Sequence, residues 1–173
     1  LRLFEDKALV MAGGTDVIGT LRFEVLRTYP EVVINLKTIP GLDYIKEEDG
    51  ALKIGALTRL EDIAGSPTVR KRYEALAEAA RRTASPHVRA MGTIGGNICQ
   101  VNRCWYFRKP NNRFDCIRKG GGMCFAMMGE NRYHAIYGAV NGCVAVNPSD
   151  TAPALVALGA TIVTSKRDIA AAD

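Results

Sequence analysis

All five cysteines of this chain, Cys99, Cys104, Cys116, Cys124 and Cys143, lie between a glycine-rich loop, T-I-G-G-N at Thr93 to Asn97, and a turn-rich stretch, N-P-S-D at Asn147 to Asp150. Thiols confined in this way point to one site rather than to a core that happens to contain sulfur. Length removes the need for cross-links, because a domain of 173 residues buries roughly two-thirds of its surface unaided. The odd thiol count and the lack of a secretory apolar segment at the start favour a reducing compartment, the cytoplasm, with the periplasm, reached through a partner's signal, as the alternative. No apolar run approaches the roughly 20 residues of a membrane helix. The chain begins at Leu1 without methionine and stops after a strand-like run, and it reads as a subunit or a fragment of one.

Cys104, Cys116, Cys124 and Cys143 are spaced C-x11-C-x7-C-x18-C. Zinc fingers and ribbons draw close cysteine pairs onto one tetrahedral ion, and no such pair exists here. Single cysteines on long loops suit an iron-sulfur cluster capped from several directions, although neither ferredoxin spacing is matched. Zinc and plain buried thiols stay open at this point. Gly120-Gly121-Gly122 reads as a flexible crossing. Arg103, Arg108, Lys109, Arg113, Arg118 and Lys119 read as cations that offset thiolate charge. Cys99 is expected to be a buried leftover on a strand leaving the glycine loop, and His134 is a ligand, a proton relay or a structural histidine. With Trp105, Tyr106 and Phe107 the basic stretch also allows a zinc-stapled nucleic-acid module. A basic rim around an anionic cofactor or partner is the preferred reading.

The remaining chain alternates short strands and helices. Ala8 to Met11 is a strand running into Gly13-Gly14-Thr15-Asp16, followed by helical spacing at Val17, Ile18, Leu21 and Val25. Adjacent glycines let backbone amides converge on an anion such as a pyrophosphate, with Thr15 or Asp16 as helix cap. Val32 to Leu36 is a strand. Tyr44 to Lys46 and Leu52 to Ile54 flank the hairpin signal Asp49-Gly50. A short helix is expected over Leu57 to Ala64 and an amphipathic one over Tyr73 to Arg82, stopped by Ser85-Pro86. Beyond the cysteines, Val144 to Val146 and Ala160 to Thr164 read as strands, and Thr151 to Leu158 as a helix capped by Ser149 or Asp150 and ended by Gly159. The fold class is α+β, with small sheets and flanking helices.

Three motifs together, A-G-G-T-D at Ala12 to Asp16, G-T-I-G-G-N at Gly92 to Asn97 and P-S-D at Pro148 to Asp150, resemble the FAD-binding subunit of molybdenum hydroxylases. I-P-G-L at Ile39 to Leu42 and I-G-A-L-T at Ile54 to Thr58 extend the likeness. The resemblance implies an FAD-binding fold of the vanillyl-alcohol-oxidase type with mixed and antiparallel sheets. It implies an N-terminal subdomain over 1–60, a second over 61–173 with an insertion at 99–143, and a C-terminal domain that lies outside this chain. By the same resemblance the first loop, Ala12, Gly13, Gly14, Thr15, Asp16 and Val17, holds the FAD pyrophosphate. Thr93, Gly96 and Asn97 meet the diphosphate and ribityl region, and Ser149 and Asp150 the part near the flavin.

The insertion resembles the subset whose flavin subunit carries an additional 4Fe-4S cluster, the aldehyde oxidoreductase and 4-hydroxybenzoyl-CoA reductase types. Its ligands are then Cys104, Cys116, Cys124 and Cys143. A molybdenum-cofactor subunit and a 2Fe-2S subunit are the implied partners of a hetero-oligomer. Neither nucleic acid nor a membrane span belongs to that picture. No residue of this chain is expected to be catalytic in its own right.

Overall fold

A computed structural model describes residues 7–173. Three two-stranded sheets and eight short helices make up the regular structure of the described residues. Strand β1 (Ala8–Met11) pairs with β2 (Val32–Asn35), and helix α1 (Val17–Arg22) lies between them in sequence. Strands β3 (Ile45–Glu48) and β4 (Ala51–Ile54) form the expected hairpin, with Ile45 opposite Ile54. Asp49 and Gly50 both take positive φ, 54° and 76°, which matches the right-handed twist of the flanking strands.

Helices α2 (Leu60–Gly65), α3 (Pro67–Arg72) and α4 (Glu74–Arg82) follow. The side chain of Ser66 caps α3 through Val69 N, and Pro67 stands in the first turn, where its missing amide costs nothing. Leu60, Ile63, Val69, Leu76, Ala77, Ala80 and Ile94 share one apolar core, against which Ile45, Leu52, Ile54 and Leu155 pack. Each large side chain so buried contributes about 1.5–3 kcal/mol. Helix α8 (Thr151–Ala157) ends before Gly159, whose φ of 63° suits glycine, and β5 (Thr161–Val163) pairs antiparallel with β6 (Asp168–Ala170).

Several local expectations change. Ser85-Pro86 starts a helix rather than only stopping one: α5 (Pro86–Met91) is capped by the Ser85 side chain, which accepts from Val88 N. The chain after Thr93 is also helical, not a strand. Thr93 accepts from Gly96 N and opens α6 (Ile94–Ile98), which leaves Cys99 at the helix end and exposed. Val144 to Val146 is not a strand, despite its β-branched residues, because no neighbouring strand offers it a ladder. Gly120 to Gly122 is a tight turn, not a flexible crossing. Gly121 N donates to Cys116 O, and a Cβ on Gly121 would stand 1.8 Å from Asp115 O.

The chain forms two compact units, each assembled from separated stretches, so packing does not follow the order 1–60 then 61–173. One unit comprises Met11–Thr15, Asn35–Cys99 and Ser149–Asp173. The other comprises the described part of Leu1–Val10, Asp16–Ile34 and Gln100–Pro148. The apolar core around Leu60 belongs to the former. In the latter, Val25, Phe107 and Cys116 are buried against Leu26, Val101, Cys104 and Phe125, and its last helix is α7 (Phe125–Met128).

Candidate functional site

Strand β1 delivers Ala12, Gly13, Gly14 and Thr15 as a loop. Gly14 is buried at φ 78°, a conformation that L side chains avoid. Gly13 has no room for a side chain: a Cβ there would lie 2.0 Å from Met91 O and 2.9 Å from Gly92 Cα. The loop is thus pressed against the chain that leads into T-I-G-G-N. A Cβ on Gly96 would lie 3.8 Å from that of Ala12, so the two glycine loops are neighbours in one unit. Among the described residues, the amides of Gly13, Gly14 and Thr15 donate to no protein acceptor. Unpartnered backbone amides on a glycine loop suit an anion such as a phosphate.

The second loop is built differently. Ile94 N donates to Thr58 O at 2.9 Å, Gly95 N to Ala56 O at 3.0 Å, Asn97 N to Thr93 O at 2.8 Å and Gly96 N to Thr93 Oγ1 at 3.2 Å. Its amides are consumed internally, which makes it a buttress for the first loop. Asn97 is buried, and its Oδ1 receives the hydroxyls of Ser149 at 2.6 Å and Thr151 at 2.7 Å. Ser149 Oγ also accepts from Ala152 N, so Ser149 serves as the side-chain cap of α8, while Asp150 occupies the cap position without a side-chain bond. Thr15, Gly96 and Asp150 are the exposed members of the set, and Gly14, Thr93, Asn97 and Ser149 the buried ones.

Asp16 and Val17 fall in the other unit. The Asp16 carboxylate makes no cap bond to α1. Its Oδ1 receives Arg103 at 2.8 Å and Arg108 at 2.7 Å, and its Oδ2 receives Val101 N at 3.0 Å. Arg108 also donates to Thr20 Oγ1 and to the carbonyls of Val101 and Asn102. Asp16 therefore anchors the opening of the cysteine stretch to the start of α1. Sequence reading missed this use of Asp16, Arg103 and Arg108, because no local signal links residues so far apart in the chain.

Cys104, Cys116, Cys124 and Cys143 line one void of about 10 Å³, together with Asn102, Tyr106 and Phe107. All five thiols are free of disulfides. Each of the four is presented by a short device. Cys104 opens a turn closed by Arg108 N on Cys104 O, and Cys116 precedes the 3-10 turn Ile117–Lys119. Cys124 stands at the N-cap position of α7. Cys143 follows Asn141-Gly142, both at positive φ, in a bridge with Val140. That Asn-Gly pair is the strongest short hairpin signal in the stretch, and it could have marked the presentation of Cys143 in advance.

Among the described residues no group of three or more His, Cys, Asp or Glu side chains is arranged to hold a single metal ion. Soft thiols that line one void, rather than converging on a point, are a donor set that suits a polynuclear cluster better than zinc. Burial pushes the Cys104 thiol up, opposed by the amides of Phe107 and Tyr106. Burial likewise lowers the Lys119 ammonium, opposed by the nearby Cys116, Asp115 and Cys104. Arg118 lines the void beside the thiols, and Lys119 feels the charge of Cys116 and Cys104 while its ammonium donates to Val25 O and Phe107 O. Of the other cations expected to offset thiolate charge, Arg103 and Arg108 are spent on Asp16, and Arg113 lies over the Phe114 ring. Tyr106 is drawn into an aromatic cluster with Phe114 and Phe125, and Trp105 meets Tyr133 edge to face, which leaves a poor platform for stacked bases. A larger cavity of about 660 Å³, lined by Arg27, Gln100, Phe107 and Lys119, also borders Cys143.

A sequence profile described as the FAD binding domain in molybdopterin dehydrogenase matches residues 1–172. The aldehyde oxidoreductase FAD-binding subunit PaoB of Escherichia coli (strain K12) is 37% identical over 158 residues, 91% of this chain and 48% of that subunit. The carbon monoxide dehydrogenase medium chain of Hydrogenophaga pseudoflava is 41% identical over 91 residues, 53% of this chain and 31% of its own length. This chain thus spans half or less of the curated relatives it matches. Among solved structures, a carbon monoxide dehydrogenase from Hydrogenophaga pseudoflava aligns at TM-score 0.51 with 40% identity, over 56% of this chain and 33% of that one. Quinoline 2-oxidoreductase from Pseudomonas putida 86 aligns at TM-score 0.63 over 99% of this chain and 46% of its own, at 22% identity, a likeness of fold.

Proposed function

The chain belongs to the family of FAD-binding domains of molybdopterin dehydrogenases, and on that premise we propose that it is the FAD-binding, electron-transferring part of a molybdenum-dependent dehydrogenase. Its substrates are aldehydes or aromatic heterocycles, oxidised at a molybdenum cofactor on one partner subunit. Electrons reach this chain through the 2Fe-2S clusters of another and leave to an external acceptor. The observation that carries the reading is the first glycine loop, with its free amides and its buried, positive-φ Gly14 against the buttress of the second.

In this reading Ala12, Gly13, Gly14, Thr15, Asp16 and Val17 form the pyrophosphate loop. Thr93 and Asn97 hold the second loop in shape, Gly96 and Asp150 face the cofactor, and Ser149 fixes Asn97. Cys104, Cys116, Cys124 and Cys143 hold a 4Fe-4S cluster, with Lys119 offsetting part of its charge. FAD supplies two-electron and one-electron chemistry and the cluster one-electron chemistry. The protein's part is to bind, bury and orient them. The match to the aldehyde oxidoreductase subunit runs through the cysteine stretch. It leaves out only about 15 of the 173 residues, so most of 99–143 lies inside it, whereas the carbon monoxide dehydrogenase match covers 91. The name of that relative, an aldehyde oxidoreductase subunit, supports an aldehyde as the substrate.

Met128, Ile136 and Tyr137, 85%, 84% and 95% exposed, supply apolar surface of the kind a hetero-oligomer covers. Among the described residues no helix is long and apolar enough to cross a membrane, and five unpaired thiols accord with the cytoplasm. The test is cofactor analysis of the intact complex purified without oxygen. We expect FAD, molybdenum, and about four irons with matching acid-labile sulfide per copy of this chain beyond those of the 2Fe-2S subunit. Zinc in place of that iron, without labile sulfide, would reject the cluster, and absence of flavin would reject the whole reading.

A further inference from the structure

The four thiols are not equivalent. Cys104 Sγ lies 3.2 Å from His134 Nε2 and is also approached by the amides of Phe107 and Tyr106. Cys143 Sγ, by contrast, has Ala145 N at 3.5 Å. The other ring nitrogen, His134 Nδ1, is buried and has no partner among the described residues. His134 is held in place through its backbone, since His134 N donates to Asn131 O and Ala135 N to Val144 O. Nε2 is the ring nitrogen that meets sulfur, and against a cluster-ligating thiolate, which has no hydrogen to give, it carries the proton.

We propose that His134 is a positioning residue for the cluster, donating a hydrogen bond from Nε2 to the Cys104 sulfur and thereby raising the cluster's reduction potential. This rests on the 4Fe-4S reading above. A donor aimed at a ligand sulfur stabilises the added negative charge of the reduced form more than that of the oxidised form, and hydrogen bonds to sulfur are among the levers by which proteins set such potentials. The unpartnered Nδ1 fits this role. A half-buried imidazole whose enclosed Nδ1 is left unsatisfied carries a cost that packing alone does not explain, since an apolar ring would fill the same space without it.

The experiment uses the whole complex, with His134→Phe to remove the donor and His134→Gln to restore an N–H. Iron and labile sulfide are measured first, then the midpoint potential by a redox titration followed by electron paramagnetic resonance. We expect full iron in both variants, a lower midpoint potential for His134→Phe, partial recovery for His134→Gln and similar melting temperatures. An unchanged potential at full iron content overturns the proposal. So does loss of iron in the phenylalanine variant, which would make His134 a ligand or a structural prop. A wild-type complex without iron and labile sulfide overturns the cluster reading itself, and the proposal falls with it, an outcome seen before any variant is made.

Discussion

Around Leu60, Ile63 and Leu76 the chain buries aliphatic side chains against one another, whereas around Cys116 it buries thiols, the Phe107 ring and the stem of a lysine. The first region is made of helices and a hairpin whose backbone groups satisfy each other. The second runs from Gln100 to Pro148 with α7 and one 3-10 turn as its regular elements. Its backbone is held by side chains instead: the Asp16 carboxylate takes Val101 N, Asn102 Oδ1 takes Cys104 N, and the Tyr106 hydroxyl takes Glu130 N. Apolar burial is tolerant and self-sufficient. A loop region organised around a few polar anchors and four thiols depends on each of them, and on whatever the thiols bind.

The largest expected effect tests that dependence. Cys116→Ser should abolish the cluster absorption and its iron while FAD stays bound, read from the visible spectrum and metal content of the purified complex. Loss of FAD as well would show that the two regions do not stand independently.

Next comes the steric contact that presses the glycine loops together. Gly13→Ala must displace the Met91 carbonyl and should cost about 1–3 kcal/mol or more with loss of FAD. Gly19→Ala in α1, where a Cβ meets nothing within 4 Å, should be neutral or stabilising when both variants are unfolded in urea. If both glycines tolerate alanine equally, the loop contact does not matter.

A smaller effect sits in the polar anchor. Asp16→Asn removes the charge shared by Arg103 and Arg108 and should cost about 1–3 kcal/mol. It should be visible as faster hydrogen exchange at the Val101 amide with little change around Leu76. Protection lost around Leu76 instead would erase the contrast between the regions.

The smallest effect belongs to the surface of α4. Hydrogen bonds from Arg81 and Arg82 hold the Glu78 carboxyl at about 2, below its ordinary 4.5. A depressed folded value means that its contribution is present above the ordinary range and is lost as pH falls toward about 2. Glu78→Gln should therefore lower the melting temperature slightly at pH 7 and converge with the parent protein as pH falls toward about 2. An unaltered acid profile would mean that the pair contributes nothing.

Much of the Leu60 region was legible in the residues. The β3–β4 turn was written in Asp49-Gly50 and the face of α4 in its spacing, with Gly159 closing α8. These are local rules, settled within a turn of helix or a hairpin. The misreadings fell where a local signal had two outcomes. Ser85-Pro86 both ends one helix and caps another. Thr93 caps a helix through glycines that looked like an extended exit, and Val144 to Val146 has strand composition but no strand to pair with.

By itself, then, the sequence determined the β3–β4 hairpin, helices α4 and α8, the confinement of all the thiols between two glycine- or turn-rich stretches, and which family the motifs resemble. Only the tertiary structure decided how those parts divide the work. It left the first loop's amides free while spending those of the second, turned Asp16 from a helix cap into the anchor of the cysteine stretch, and set His134 against Cys104. The physical reason is distance along the chain. A carboxylate and the guanidinium it holds are 92 residues apart, and no local pattern can announce which donor will reach which acceptor once the backbone has closed around them.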